Sequence, residues 1–390
     1  MSFIKKEIIG FVSYSNPVTD RRAWSGTYYK IREAIELAGY EVRWVRAHPN
    51  KAISFLIKAI LKILRQVKYW EYSGYFGWLC ARSISLTEIE ACDYLFIPGG
   101  SQMIKSLNKR LSNRCPPIIY YTDSTFRLMD GYYWFNIPGW ISRQADAGEK
   151  KANDCSALVI KSSDWAINSV INDYDCPPEK TAVLEFGANI DEKDIAVTEP
   201  YSGGILRVLF SGVDWKRKGA DTAIETVRLL NESGIPAHLY LAGINESDIP
   251  HEYQHLDFVE YLGFLNKNNP PQYKRYIDLL GQCHCLLLPS HAECSAIVFN
   301  EASAFGLPSF TYDTGGLANY VINGKNGYRL DIHASATDFA AIIGRVVRHN
   351  EFPELRKGAL ALYEEKNNWR AWSRRFAELM ESFFMDNPGK

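Results

Sequence analysis

A chain of 390 residues with 46% hydrophobic and 23% charged side chains is long enough for two α/β cores and too apolar to be disordered. Its formal net charge of −1 sets up no global field toward nucleic acid, so no nucleic-acid partner is expected. No apolar run reaches the roughly 20 residues of a membrane span. The opening MSFIKKEIIGFVSYS lacks the apolar core and cleavage site of a signal peptide, and the eight cysteines have no framework spacing, which points to a cytoplasmic protein with reduced thiols.

Short apolar runs alternate with amphipathic helices along the whole length, the pattern of parallel sheets. In the first half, strands are expected at Ile8–Ser13, 41–45, 94–97, 118–121 and 157–160, with a helix over Thr27–Leu37 that stops at Ala38-Gly39. Residues 54–70, SFLIKAILKILRQVKYW, carry a broad apolar stripe beside Lys51, Lys58, Lys62, Arg65 and Lys68. The pattern suits a helix lying on a membrane surface, but a core-packed helix with a basic outer face, the default for any amphipathic helix, is the expectation. The aromatics Trp70, Tyr72, Tyr75, Phe76 and Trp78 that follow fit sugar stacking, an interface or a core. Asp173-Tyr174-Asp175 precedes Cys176-Pro177-Pro178 and reads as a turn.

Charge, Pro200 and two glycines interrupt the periodicity over 191–204, where the halves join. The second half restarts with strands at Leu206–Ser211, 238–242, 285–288 and Ser309–Tyr312, and a helix over 222–230. The domains are therefore set at 1–192 with 369–390 returning to it, and at 193–368. Two doubly wound domains facing across a cleft bind ligands at the carboxyl ends of their strands. Cys283-His284-Cys285 looks metal-like, but strand alternation turns His284 away from both cysteines, and no metal is expected.

The stretch CLLLPSHAECSAIVFNEASAFGLPSFTY, 285–312, holds the most chemistry. A strand ends at Pro289-Ser290, a loop carries Glu293, and a helix runs over 296–305 with Ser295 as its N-cap and Gly306 and Pro308 beyond its end. The amides at 295–298 and the positive end of the helix make a seat for a diphosphate. Glu293 and Glu301 stand on either side, suited to sugar and ribose hydroxyls; helix-start acids favoured by the dipole are the plainer reading. Upstream, LFSGVDWKRKGAD brings Gly212 at a strand end and Lys218-Gly219 at the opening of the next helix, without Walker-type spacing. Lys218 by itself reads as a phosphate ligand or as a solvated surface lysine.

Together these segments resemble the donor site of the retaining glycosyltransferases of family four. The resemblance rests on Ser290-His291-Ala292-Glu293, on Glu301-Ala302-Ser303-Ala304-Phe305-Gly306-Leu307-Pro308, on Asp313-Thr314-Gly315-Gly316 and on Val321-Ile322-Asn323-Gly324-Lys325-Asn326-Gly327. It implies the GT-B fold, with a terminal helix crossing back to the first domain, and sugar transfer from a nucleotide-diphosphate sugar without a metal or other cofactor. It places Glu293 on the transferred sugar, Glu301 on the ribose, the amides of Ser295, Ala296 and Ile297 on the diphosphate and sugar, and Lys218 on the diphosphate. Two positions depart from the pattern. Val213 replaces an arginine, leaving Lys216 or Arg217 to substitute, and Ser295-Ala296 stands where Phe-Gly is common.

In the first half, Trp24-Ser25-Gly26-Thr27 matches the family's glycine turn near the donor phosphate, with Ser25 as a plain helix cap the competing reading. Tyr121-Thr122-Asp123-Ser124-Thr125-Phe126 resembles a subgroup in which such a run replaces a histidine, giving Asp123 a place at the reacting centre or as a loop cap. Lys161-Ser162-Ser163-Asp164-Trp165 and Phe186-Gly187-Ala188-Asn189-Ile190 fit the same subgroup. The expected acceptor is a glycan or lipid-linked hydroxyl in cell-surface polysaccharide or glycoconjugate synthesis, which would place the enzyme on the inner face of the membrane through 51–70. A non-catalytic nucleotide-sugar-binding relative, or an epimerase or hydrolase on the same fold, remains open. An NAD-linked enzyme is disfavoured, because no Gly-x-Gly-x-x-Gly follows the first strand.

Overall fold

A computed structural model describes residues 6–21, 23–49, 51–63, 69–196 and 199–385. The chain divides into two compact units. The first comprises Met1–Leu184 with Trp372–Lys390, and the second is Glu185–Ala371.

The first unit is built on a six-stranded sheet of order β2-β1-β3-β4-β5-β6. Its strands are β1 (Ile8–Ser13), β2 (Glu41–Arg46), β3 (Tyr94–Pro98), β4 (Ile118–Thr122), β5 (Leu158–Lys161) and β6 (Thr181–Val183). Every neighbouring pair runs parallel. Strands β1, β4 and β5 are buried along their whole length, as apolar runs in a parallel sheet covered on both faces must be. The last helix, Trp369–Met380, continues into a wide turn over Glu381–Met385, and within this unit Trp372 stacks on Phe376 while Phe376 meets Phe96. The expected return of the C-terminal helix to the first domain is thus present.

The second unit repeats the plan in the order β12-β11-β10-β7-β8-β9, again all parallel. Its strands are β7 (Leu206–Ser211), β8 (Ala237–Ala242), β9 (Val259–Gly263), β10 (Cys285–Leu287), β11 (Ser309–Tyr312) and β12 (Gly327–Leu330). From β7 the chain adds β8 and β9 on one side, then returns to add β10, β11 and β12 on the other. The turning point lies between β7 and β10, and the loops leaving their carboxyl ends hold residues 212–219 and 288–296. A doubly wound sheet opens its ligand crevice at such a point.

One expectation is overturned here. The helix predicted over 54–70 is observed at Lys51–Ile63, and it is not core-packed: no residue from 52 to 63 is buried. Phe55, Leu56, Ile60 and Ile63 are 72%, 61%, 57% and 81% exposed. Arg65 and Lys68 of the predicted helix lie outside the described residues. No helix among the described residues is long and apolar enough to cross a membrane.

Candidate functional site

The loop leaving β7 folds into a single helical turn, Trp215–Lys218, capped by the Asp214 carboxylate, which accepts from the Arg217 amide at 2.9 Å. Lys218 therefore closes a turn instead of opening the long helix. The long helix, Ala220–Glu232, starts beyond Gly219, whose φ of 70° serves both ends. A Cβ at Gly219 would lie 2.2 Å from the Pro289 carbonyl oxygen, so the bare backbone is what lets this turn press against the end of β10. Gly212 does similar service, since its missing Cβ makes room for the Lys218 stem.

That packing aims Lys218 at the loop after β10. Its Nζ donates to Glu293 Oε1 in a pairing almost closed to solvent. Ser290 Oγ donates to the same oxygen at 2.7 Å, and Arg217 Nη1 stands 3.7 Å from it. Arg217 also donates to the Ala292 carbonyl at 3.2 Å, and its other face lies 3.7 Å from the exposed Asp214. The Glu293 carbonyl accepts from Gly316, which ties the loop to the Gly-Gly turn. A carboxylate 3% exposed is tolerable only with such partners. Of the two cations offered in place of an arginine at Val213, Arg217 is the one at the site. Lys216 is 80% exposed and pairs with Asp221 at 2.9 Å, and Val213 itself is exposed.

Glu301 sits midway along the Ile297–Ala304 helix and is 1% exposed. Tyr276 donates to its Oε2 at 2.6 Å, and Lys267 donates to Oε1 while lying over the Tyr276 ring. Burial, followed by the Glu301 charge, pushes the Tyr276 hydroxyl well above its usual range and keeps it a donor. Neither residue was singled out in the sequence. Lys267 comes from the loop after β9, a strand too polar to stand out, and Tyr276 from the Pro270–Gln282 helix, where one aromatic among core positions gives no signal.

The helix start differs from expectation by one residue. Ala296, not Ser295, is the N-cap, and its side chain makes no cap bond. The first turn of Ile297–Ala304 thus receives no bond from its own N-cap side chain, and a helix start is where an anion is received. Among the candidates of this unit, Gly212, Arg217, Lys218 and Glu293 come together, while Ser295, Ala296, Ile297 and Glu301 follow on the loop and helix after β10.

Gly26 and Asp123 belong to the first unit. Trp24, Ser25 and Gly26 all have positive φ, at 50°, 57° and 91°. Gly26 is the N-cap of the Thr27–Leu37 helix with no side-chain cap bond, so the reading of Ser25 as cap is not borne out. Two non-glycine residues held in the left-handed region cost strain that a plain helix start does not require. Asp123, just past β4, accepts from the Trp24 side chain and from Thr122 Oγ1 at 3.4 Å. Burial raises its carboxyl above the usual range, against the pull of its backbone amide and of Lys161. Lys161 is fully buried, 3.2 Å from Glu149, and donates at 3.0 Å to the Ser124 carbonyl. The turn reading of 173–175 fits a sequence in which Asp173 ends a helix and Asp175 takes a φ of 49°. At the Cys-His-Cys run, His284 Nδ1 accepts from the Arg207 amide at 3.0 Å. Among the described residues no group of three or more His, Cys, Asp or Glu gathers as metal ligands.

Residues 198–359 match the family model of glycosyl transferases group 1. Among curated proteins, the D-inositol 3-phosphate glycosyltransferase of Gordonia bronchialis is 25% identical over 262 residues, 62% of this chain and 56% of that protein. The enzyme of the same name from Nocardioides is 24% identical over 239 residues, 55% of this chain and 51% of that protein. The match thus spans about half the length of these relatives. Among solved structures, sucrose-phosphate synthase of Thermosynechococcus elongatus superposes with a TM-score of 0.67 at 15% identity, covering 98% of this chain and all of that one. The Anabaena protein HepE in complex with UDP and glucose gives 0.62 at 14% identity, covering 97% and 100%. The stretch matched to glycosyl transferases group 1 lies within the second unit, and the two Rossmann-like units have the GT-B fold.

Proposed function

We propose that the chain is a metal-independent, retaining glycosyltransferase that moves a sugar from a nucleoside-diphosphate sugar to a hydroxyl of a glycan or lipid-linked acceptor. The observation behind this reading is the buried Glu293 held by Lys218 and Ser290, with Arg217 beside it, where the second sheet reverses its strand order. A diphosphate offered to this corner would take Lys218 and Arg217 from the carboxylate, and Glu293 would be released to accept from the sugar hydroxyls. The start of the Ile297–Ala304 helix would face the same anion. Glu301, already oriented by Tyr276 and Lys267, would take the ribose hydroxyls.

In the transfer itself, the bond from the anomeric carbon to phosphate oxygen breaks with its electron pair leaving on the diphosphate. The acceptor oxygen bonds to the same face of the sugar, and its proton passes to the departing phosphate. Lys218, Arg217 and the helix start stabilise the charge that builds, the role that a metal ion fills elsewhere. Asp123 is the first unit's candidate for positioning the reacting groups. Synthesis of cell-surface polysaccharide or glycoconjugate in the cytoplasm belongs to the same reading.

Calorimetric titration with UDP, GDP and ADP, with and without EDTA, tests the donor half. One nucleotide should bind with EDTA present, and Glu301→Ala should weaken it at least about tenfold. If all three fail to bind, the chain is a non-catalytic relative; if binding or turnover vanishes with EDTA, metal independence is wrong. With a labelled sugar nucleotide and an acceptor, Glu293→Gln should lose transfer by roughly a hundredfold or more while still binding nucleotide.

A further inference from the structure

The Lys51–Ile63 helix presents an apolar surface that is left exposed among the described residues. Its sequence, KAISFLIKAILKI, would bury an apolar face in almost any globular core, yet every residue from 52 to 63 is at least partly exposed. At about 100° of turn per residue, Phe55, Leu56, Ala59, Ile60 and Ile63 fall within an arc of roughly 140°. Four of these five are the exposed side chains described above. Lys58 and Lys62 follow at one edge of the arc, and the half-buried Ile57 and Leu61 lie on the remaining side.

Charge identifies what such a face meets. Residues 51–69 contain five cationic side chains, Lys51, Lys58, Lys62, Arg65 and Lys68, and no carboxylate, in a chain whose net charge is −1. The nearest acid, Glu71, pairs with Lys58 at 3.2 Å while also accepting from Trp70, and Lys58 lies over the Trp70 ring. Lys58 thereby ties the edge of the helix to its own unit, and Lys62 stands beside it at the same edge of the apolar arc. A protein surface receiving this face would need an apolar groove lined with acids. A bilayer with anionic headgroups supplies apolar depth and negative charge together, in the geometry that a helix lying flat requires. Long lysine stems at the edge of the arc reach the headgroups while the arc sits among the acyl chains.

We propose that this helix docks the protein on an anionic lipid bilayer, lying in the interface plane with Phe55, Leu56, Ile60 and Ile63 inserted. The assignment is independent of the donor chemistry of the second unit, and it gives a physical basis for meeting a lipid-linked acceptor.

Co-sedimentation of the full chain with phosphatidylcholine vesicles, with and without about a third phosphatidylglycerol, tests it. The chain should bind the anionic vesicles at least about tenfold more tightly than the neutral ones, and raised salt should weaken that binding. The triple variant Phe55→Gln, Leu56→Gln, Ile60→Gln should lose it, and because these side chains are exposed the variant should keep the parent's melting temperature and nucleotide response. Equal binding to both vesicle types, or undiminished binding by the triple variant, overturns the proposal. So does a parent that ignores vesicles but self-associates, in light scattering, through a face that the triple variant abolishes; the occupant would then be a second copy of the chain.

Discussion

The Ile297–Ala304 and Lys51–Ile63 helices depart from apolar-in, polar-out in opposite senses. In the first, Glu301 is 1% exposed and every residue from Phe299 to Ala304 is buried. In the second, a longer and similarly apolar segment has no fully buried residue from 52 to 63. The chain spends stability in both places, at one by taking carboxylates out of water and at the other by leaving large hydrophobes in it. The first departure is compensated inside the fold by Tyr276 and Lys267, as Glu293 on the loop before the helix is by Lys218, Ser290 and Arg217. The second has compensation only if something outside the chain covers it. A buried charge with a complete set of partners therefore marks a site prepared for a small ligand, and an exposed apolar face marks a site for a large surface.

Removing one of those partners gives the largest effect on stability. Lys218→Met keeps the stem over Gly212 but leaves Glu293 with Ser290 and the more distant Arg217, which should destabilise the second unit by about 3 kcal/mol. Urea unfolding checks it. A change below about 0.5 kcal/mol would mean that Glu293 is not held as described.

The next effect belongs to the backbone that carries the lysine. Gly219→Ala forces a Cβ onto the Pro289 carbonyl at a φ of 70°, and about 2 kcal/mol is expected, together with weaker nucleotide binding as Lys218 shifts. Gly39→Ala is the control. It too has a positive φ, but no atom within 4 Å meets its Cβ, so it should cost only the backbone part, about 1 kcal/mol.

Much of this was legible in the sequence. β1, β7, β11 and the Thr27–Leu37 helix have the bounds their patterns gave, because each is an apolar run or stripe closed by a glycine, proline or polar cluster. The strands that were missed, β6, β9 and β12, are all sheet edges, half-exposed and partly polar, so no continuous run announces them. The same cause hid Lys267, since its partner is 34 residues away and its loop follows a strand that had not been recognised. Glu293, Glu301 and Lys218 were singled out because the segments that carry them resemble a known donor site; their spacing alone left a plain reading open. The helix over 51–63 was visible as a pattern, but its partner was not, because amphipathicity records a face and not what lies against it.

A smaller effect tests the burial around β10 by pH. Burial, with Arg207 adding to it, lowers His284 to about 4 from the usual 6.5. The unfolded chain then binds more protons between those values, so stability is full near pH 7 and falls as pH drops from about 6.5 to about 4. The ring is partly exposed, and solvent screening leaves roughly 1 kcal/mol. His284→Asn can still accept from the Arg207 amide but does not titrate, so its unfolding midpoint should lose that part of the acid slope. Parallel slopes in parent and variant would show that the ring is solvated.

The smallest expected effect on stability is the most discriminating for the exposed helix. If Phe55, Leu56 and Ile60 contribute to no core, their joint replacement by glutamine should move the unfolding free energy in water by less than about 0.5 kcal/mol. Three core residues replaced together would cost several times more, roughly 2–5 kcal/mol each. With anionic vesicles present the order reverses: the parent should gain stability by mass action and the variant should not. A large loss in water alone would mean that the helix packs against its own protein, and the contrast with the Ile297–Ala304 helix would disappear.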